Sequence, residues 1–153
     1  MSPALRTFCP SSDPMSIQQG AREITLTAAI PNIRTVTDWV DGQLEQLACP
    51  LKAQMQLDVA IDELFTNVAS YAYPGGTGEV TVRFACEDRL VSVTFFDRGI
   101  PFNPLDRPDP DVTLPASERK QGGLGIFLVR KTMDAVQYRY EGGQNILTIQ
   151  KRI

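Results

Sequence analysis

Glu63 and Asn67 stand four positions apart in the stretch ELFTN, inside a run whose apolar residues recur at helical spacing. On a helix that separation puts both side chains on one face, about one turn apart. A carboxylate there can accept a proton or orient a water, and an amide oxygen is a hard ligand suited to Mg2+. The same pair fits an ordinary solvated helix face, so alone it decides nothing. A second stretch, FFDRGIPFNP (residues 95–104), ends a predicted strand at Asp97 and follows it with Gly99, a residue that lets the backbone turn or approach a ligand closely. A carboxylate at a strand end beside an apolar floor can accept hydrogen bonds from an exocyclic amine. Asp-Arg-Gly is equally good chemistry for a plain turn. The third stretch, KQGGLGIFLVRK (residues 120–131), sets Gly122, Gly123 and Gly125 just ahead of an apolar helical run. Such glycines free backbone N–H groups at a helix N-terminus, where the dipole also favours an anion. A loop-to-helix junction needs the same residues for conformation only. Neither a GxxxxGK[ST] nor a GxGxxG pattern is present, so a P-loop or a Rossmann site is not indicated.

The composition narrows the chemistry further. The chain has no histidine, which removes Ser-His-Asp and Cys-His catalysis, His-ligated metals and phosphohistidine. Any general base is then expected to be a carboxylate. A net charge of −3 argues against a mainly electrostatic nucleic-acid binder. It also means that a bound phosphate needs local help from a metal ion, aimed N–H groups or a few placed cations. Cys9, Cys49 and Cys86 are widely spaced and never form a CxxC pair, so neither a disulfide framework nor a zinc site is indicated and a reducing cytoplasm is expected. No apolar run approaches the ~20 residues of a bilayer-spanning helix, and the N-terminus lacks the apolar core of a signal peptide.

These residues need elements to position them. Residues 1–20, rich in Pro, Ser and Gln, read as a poorly ordered lead-in, and residues 21–153 as one domain. Alternation at Ile24, Leu26 and Ala28 predicts a strand; Pro31 suits the first turn of a helix carrying Ile33, Val36, Val40, Leu44 and Leu47. A second helix is predicted over 51–73, with Leu57, Ile61, Leu64 and Val68 as its stripe, stopped by Pro74-Gly75-Gly76. Strands over 79–86 and 90–96 are joined by a short hairpin connection. Residues 98–121, with five prolines and little periodicity, read as a long functional loop. A helix over about 124–134, with Ile126, Val129 and Met133 inward, precedes strands near 135–140 and 145–151. Five strands, three helices and the hairpins imply a two-layer α/β sandwich: a mainly antiparallel mixed sheet with helices on one face.

Taken together, the three stretches and their order resemble the Bergerat-type ATP site of gyrase, heat-shock chaperones and sensor histidine kinases. The closer resemblance is to stand-alone anti-sigma-factor serine/threonine kinases, small cytoplasmic bacterial regulators, whose N-box and two glycine boxes look like ELFTNVASYAY, DRGIPFNP and GGLGIFLVRKTMD over residues 23–153. The resemblance implies that Glu63 is the general base, that Asn67 holds Mg2+, and that Asp97 hydrogen-bonds the adenine amine with Gly99 against the base. It implies that Gly123, Leu124 and Gly125, with Gly122 before them, present backbone to the phosphates of ATP. Two positions depart from the common pattern. Tyr71 stands where many members have His, and Pro101, in the same nucleotide-contacting stretch, replaces the last glycine of Asp-x-Gly-x-Gly. The lid cation, among Arg107, Arg119 and Lys120, is left open. Two functions remain at this point: phosphorylation of a Ser/Thr on a small antagonist protein in a partner switch with a sigma factor or other regulator, or a nucleotide-gated module that sequesters such a regulator without useful catalysis. Members of the family often form homodimers; direct nucleic-acid or membrane binding is not expected.

Overall fold

The computed structural model describes residues 19–106 and 123–153. The expected lead-in up to residue 18 and most of the long loop, residues 107–122, lie outside the described residues. Strand β1 covers Gln19–Thr27, β2 Glu79–Glu87, β3 Leu90–Asp97, β4 Ala135–Glu141 and β5 Gln144–Arg152. They form one five-stranded sheet in the order β1-β2-β3-β5-β4, with every pairing among the described residues antiparallel. The helices are α1 (Ile33–Gln46), entered through a 3-10 turn at Ile30–Asn32 that contains Pro31, α2 (Leu51–Asn67) and α3 (Gly123–Thr132).

The sequence patterns explain the two layers. In β2 and β3 every second residue is buried, as a strand covered on one face requires. Val80, Val82 and Phe84 of β2 and Val91, Val93 and Phe95 of β3 meet the helical stripes Val36-Val40-Leu44, Leu57-Ile61-Leu64 and Ile126-Val129 in one core. Fully burying a side chain such as Phe84 or Phe95 contributes roughly 2–3 kcal/mol. The opposite face is mostly polar, apart from the Phe96–Ile146 pair. Thr25 and Thr81 hydrogen-bond across strands at 2.7 Å, Thr94 and Thr148 at 3.0 Å, and Arg83 donates to Glu23 at 2.6 Å.

Turn chemistry sets the register of both hairpins. Asp88 and Arg89 adopt φ of 53° and 65°, and Gly142 and Gly143 adopt 62° and 77°, as the tight hairpin turn that matches strand twist demands. Arg89 does this without glycine, and its guanidinium donates to the Leu47 carbonyl at 2.6 Å, just past the end of α1. The register then sets Asp97, last residue of β3, opposite Val80 on one side and Asn145 on the other.

One helical expectation changes in form. The predicted single helix over 51–73 is α-helical only to Asn67; Val68–Ala72 continue it as a wider π-helix. A wider turn shifts the backbone groups beyond it, and such turns recur at functional positions.

Helices α1 and α2 also bring together two half-buried acids, Asp41 and Asp58. Burial, first, and then a hydrogen bond and charge from Asp41 raise the Asp58 carboxyl to about 8. A carboxyl whose folded pKa is raised contributes stability that is full below its ordinary value and is lost as pH rises through the folded one. Thermal melts of the wild type are therefore expected to fall in midpoint as pH rises through about 8, and Asp58→Asn to remove that slope. Identical pH profiles for the two proteins would contradict the raised Asp58 carboxyl.

Candidate functional site

The exit of α2 builds one wall. Past Asn67 the π-helical turn frees the Ala72 carbonyl, which accepts the N–H of Ile100 at 2.9 Å. Gly99 lies so close that a Cβ on it would stand 2.1 Å from the Ala72 oxygen and 2.6 Å from its carbonyl carbon. Only glycine allows this approach, so Gly99 is required by a backbone contact. Tyr73 completes the strap. Its hydroxyl donates to the Glu79 carbonyl at 2.6 Å and accepts the Arg98 N–H at 2.9 Å. Tyr71 faces outward, its ring 5.3 Å from that of Phe102, and Pro101 is exposed beside it.

Asp97 sits at the inner end of β3 with only 5% of its surface exposed. Burial pushes its carboxyl up, and hydrogen bonds from Asn145 and Gly99 pull it back. Its Oδ1 accepts the Gly99 N–H at 2.9 Å and the Asn145 amide at 2.8 Å. Beside it lies a narrow recess of about 20 Å3 whose lining includes Leu64, Asn67, Val68, Phe95, Phe102 and Asn145. Small-ligand sites are far larger, but they share its combination of apolar walls with a few placed polar groups. Widened to the thickness of a flat ring, an apolar slot with one carboxylate at its base would accept a hydrogen bond from an amine on the ring's edge.

Glu63 points the other way along α2, toward the start of α3. A Cβ on Gly125 would stand 2.1 Å from the Glu63 carboxyl carbon, so the carboxylate lies directly against the first turn of α3. There the N–H groups without helical partners and the positive end of the dipole favour negative charge. Gly123 opens α3 and Leu124 follows it in the same turn. Gly122, Arg107, Arg119 and Lys120 lie outside the described residues. Among the described residues no three His, Cys, Asp or Glu side chains gather into a metal cage. A Mg2+ ion held largely by phosphate and water needs only one or two protein oxygens, and the Asn67 amide offers one.

The structure thus brings Asn67 and Asp97 to one recess, sets Gly99 against the Ala72 carbonyl and sets Glu63 against Gly125. Sequence reasoning missed Asn145, Tyr73 and Tyr138. The one available signal for Asn145 was its parity with Leu147 and Ile149, which puts an amide on the buried face of β5.

Residues 26–151 match the Histidine kinase-like ATPase domain family. Serine-protein kinase RsbW of Bacillus mycoides is 28% identical over 95 residues, which are 60% of this chain and 59% of that protein. The protein of the same name from Bacillus cereus is 30% identical over the same shares. The matched region therefore spans about three-fifths of these curated relatives. The crystal structure of the RsbU and RsbW domains of Rv1364c from Mycobacterium tuberculosis is similar in fold, with a TM-score of 0.62 at 19% identity, covering 88% of this chain and 32% of that one.

The two glycine contacts differ in what they meet, and alanine separates them. Gly99→Ala pushes against backbone and is expected to lower unfolding stability by roughly 1–3 kcal/mol. Gly125→Ala meets the far end of a flexible side chain and adds helix propensity, so it should fold while displacing Glu63. Urea unfolding of both variants checks this; a Gly125→Ala loss as large as that of Gly99→Ala would contradict it.

Proposed function

The chain belongs to the Histidine kinase-like ATPase domain family, and on that premise we propose that it is an ATP-dependent protein serine/threonine kinase acting in a partner switch that controls transcription. Its substrate is a Ser or Thr hydroxyl on a small antagonist protein, and its second partner a sigma factor or other regulator. The observation that carries this reading is the placement of Glu63 against the first turn of α3 while Asn67 and Asp97 line the adjoining cleft. Similarity to proteins named serine-protein kinase supports the reaction class.

In this reading the cleft takes adenine between its apolar walls, and Asp97 accepts a hydrogen bond from the exocyclic amine. The backbone of Gly123, Leu124 and Gly125 faces the phosphates at the positive end of α3. Asn67 would hold Mg2+, which when bound neutralises charge on the phosphate oxygens. Glu63 accepts the proton of the attacking hydroxyl as the oxygen becomes a nucleophile. Phosphoryl transfer asks for positioning and charge placement more than covalent chemistry. The site supplies these from three separate segments of the chain. The kinase reading takes precedence over a purely nucleotide-gated binder because a carboxylate beside the phosphate-facing helix has no use in simple retention and would repel the phosphates.

Glu63→Gln keeps the shape of the side chain and removes its basicity. Transfer of labelled γ-phosphate from ATP to the antagonist protein is expected to drop by at least ~100-fold, with nucleotide binding retained. Undiminished transfer in this variant would remove Glu63 from the role of base.

A further inference from the structure

We propose that Asn145 is the positioning residue of the cleft: its amide fixes Asp97 so that a single carboxylate oxygen, Oδ2, reads the ring edge, and so makes the site select a ring bearing an amine over one bearing a carbonyl. This rests on the nucleotide reading above and names the residue that tunes it.

Asn145 is 5% exposed, and its hydrogen-bonding capacity is fully used. Nδ2 donates to Asp97 Oδ1 and to the Ile100 carbonyl, both at 2.8 Å. Oδ1 accepts the Phe102 N–H at 3.0 Å and the Tyr138 hydroxyl. A side-chain amide has two donor hydrogens and two acceptor lone pairs, and here each meets its complement. The orientation is therefore forced. A flipped amide would aim its NH2 at the Phe102 N–H and its oxygen at the Asp97 carboxylate.

The consequence falls on Asp97. With Gly99 N–H and Asn145 NH2 both on Oδ1, the two lone pairs of that oxygen are occupied, and Oδ2 is left for a ligand. Donors on a carboxylate favour its ionised form against the burial that opposes it. An ionised Oδ2 only accepts, so it pairs with an exocyclic amine and repels a carbonyl in the same place. A protonated Oδ2 would donate and welcome the carbonyl. Asn145 thereby sets which partner the ring must present.

The other ionisable groups near Asp97 leave this logic intact. Tyr73 at the helix exit and Tyr138 on β4 both have phenols raised chiefly by burial, so they stay neutral. Glu79 on β2 and Asp106 lie beyond them as neighbours of those two tyrosines, and Arg98 next in the chain is exposed.

The test compares ATP with inosine triphosphate, which has a carbonyl in place of the amine and a hydrogen on the adjoining ring nitrogen, on the wild type, Asn145→Leu and Asn145→Asp. Asn145→Asp keeps the oxygen that accepts from Phe102 and Tyr138 and loses the donor to Asp97, so it separates aiming from bracing and remains informative if Asn145→Leu fails to fold. The Asp97 carboxyl is also titrated by 13C NMR in the nucleotide-free proteins. The expected result is a wild-type preference for ATP that falls by at least ~10-fold in both variants, the size of one hydrogen bond to a charged group, and falls further at lower pH in Asn145→Leu. The Asp97 titration is expected to move upward in both. An unchanged ATP preference, or an unmoved Asp97 titration, in a folded variant overturns the role of Asn145. A wild type that binds neither nucleotide overturns the nucleotide reading instead, while the titration still reports on the Asn145–Asp97 bond.

Discussion

A carboxylate held 5% exposed at the end of a central strand has to be met by donors, because an unpaired buried charge is too costly to persist. Asp97 meets that constraint with one backbone N–H and one amide, from Gly99 and Asn145. Each donor brings a different part of the chain with it. Gly99 can reach Asp97 only where the chain turns tightly after β3, and Asn145 only if β5 lies beside β3 in the observed register. The hairpin turns, strand order and buried parity of the sheet therefore converge on one carboxyl group.

Two close approaches fasten the helices to that point. The Gly99 backbone rests on the Ala72 carbonyl, which the π-helical turn after Asn67 makes available. That same turn ends the helix on which Glu63 and Asn67 project. Gly125 rests on the Glu63 carboxylate and so couples α3 to α2 through the residue assigned as base. The Arg130 guanidinium donates to the Leu105 carbonyl, tying α3 to the segment where the long loop begins. Fold and site share these contacts, so a change at either glycine acts on both.

Much of this was legible in the sequence. The stripes Val36-Val40-Leu44 and Leu57-Ile61-Leu64 are fully buried, as their spacing implies, and both hairpins fall where turn residues interrupt alternation. Glu63, Asn67, Asp97 and Gly99 lie where a one-turn helical spacing and a strand-end turn would put them. What escaped was whatever depends on pairing between distant segments. Asn145 reads only as the first residue of a strand until β3 is laid beside β5. The raised Asp58 carboxyl, set by burial and by Asp41 beside it, appears only when α1 meets α2. The contact of Gly125 with Glu63 spans α3 and α2, and no local pattern encodes it. The π-helical turn has no signature of its own, because its sequence, VASYA, keeps helical propensity while the backbone widens.

The central claim is that Asp97 reads a nucleotide base. Calorimetric titration of ATP with Mg2+ into the wild type and Asp97→Asn tests it most directly. The account predicts measurable binding to the wild type and a loss of roughly 10- to 100-fold in the variant, the magnitude of a hydrogen bond to a buried charge. Equal affinity in a folded Asp97→Asn protein would contradict it.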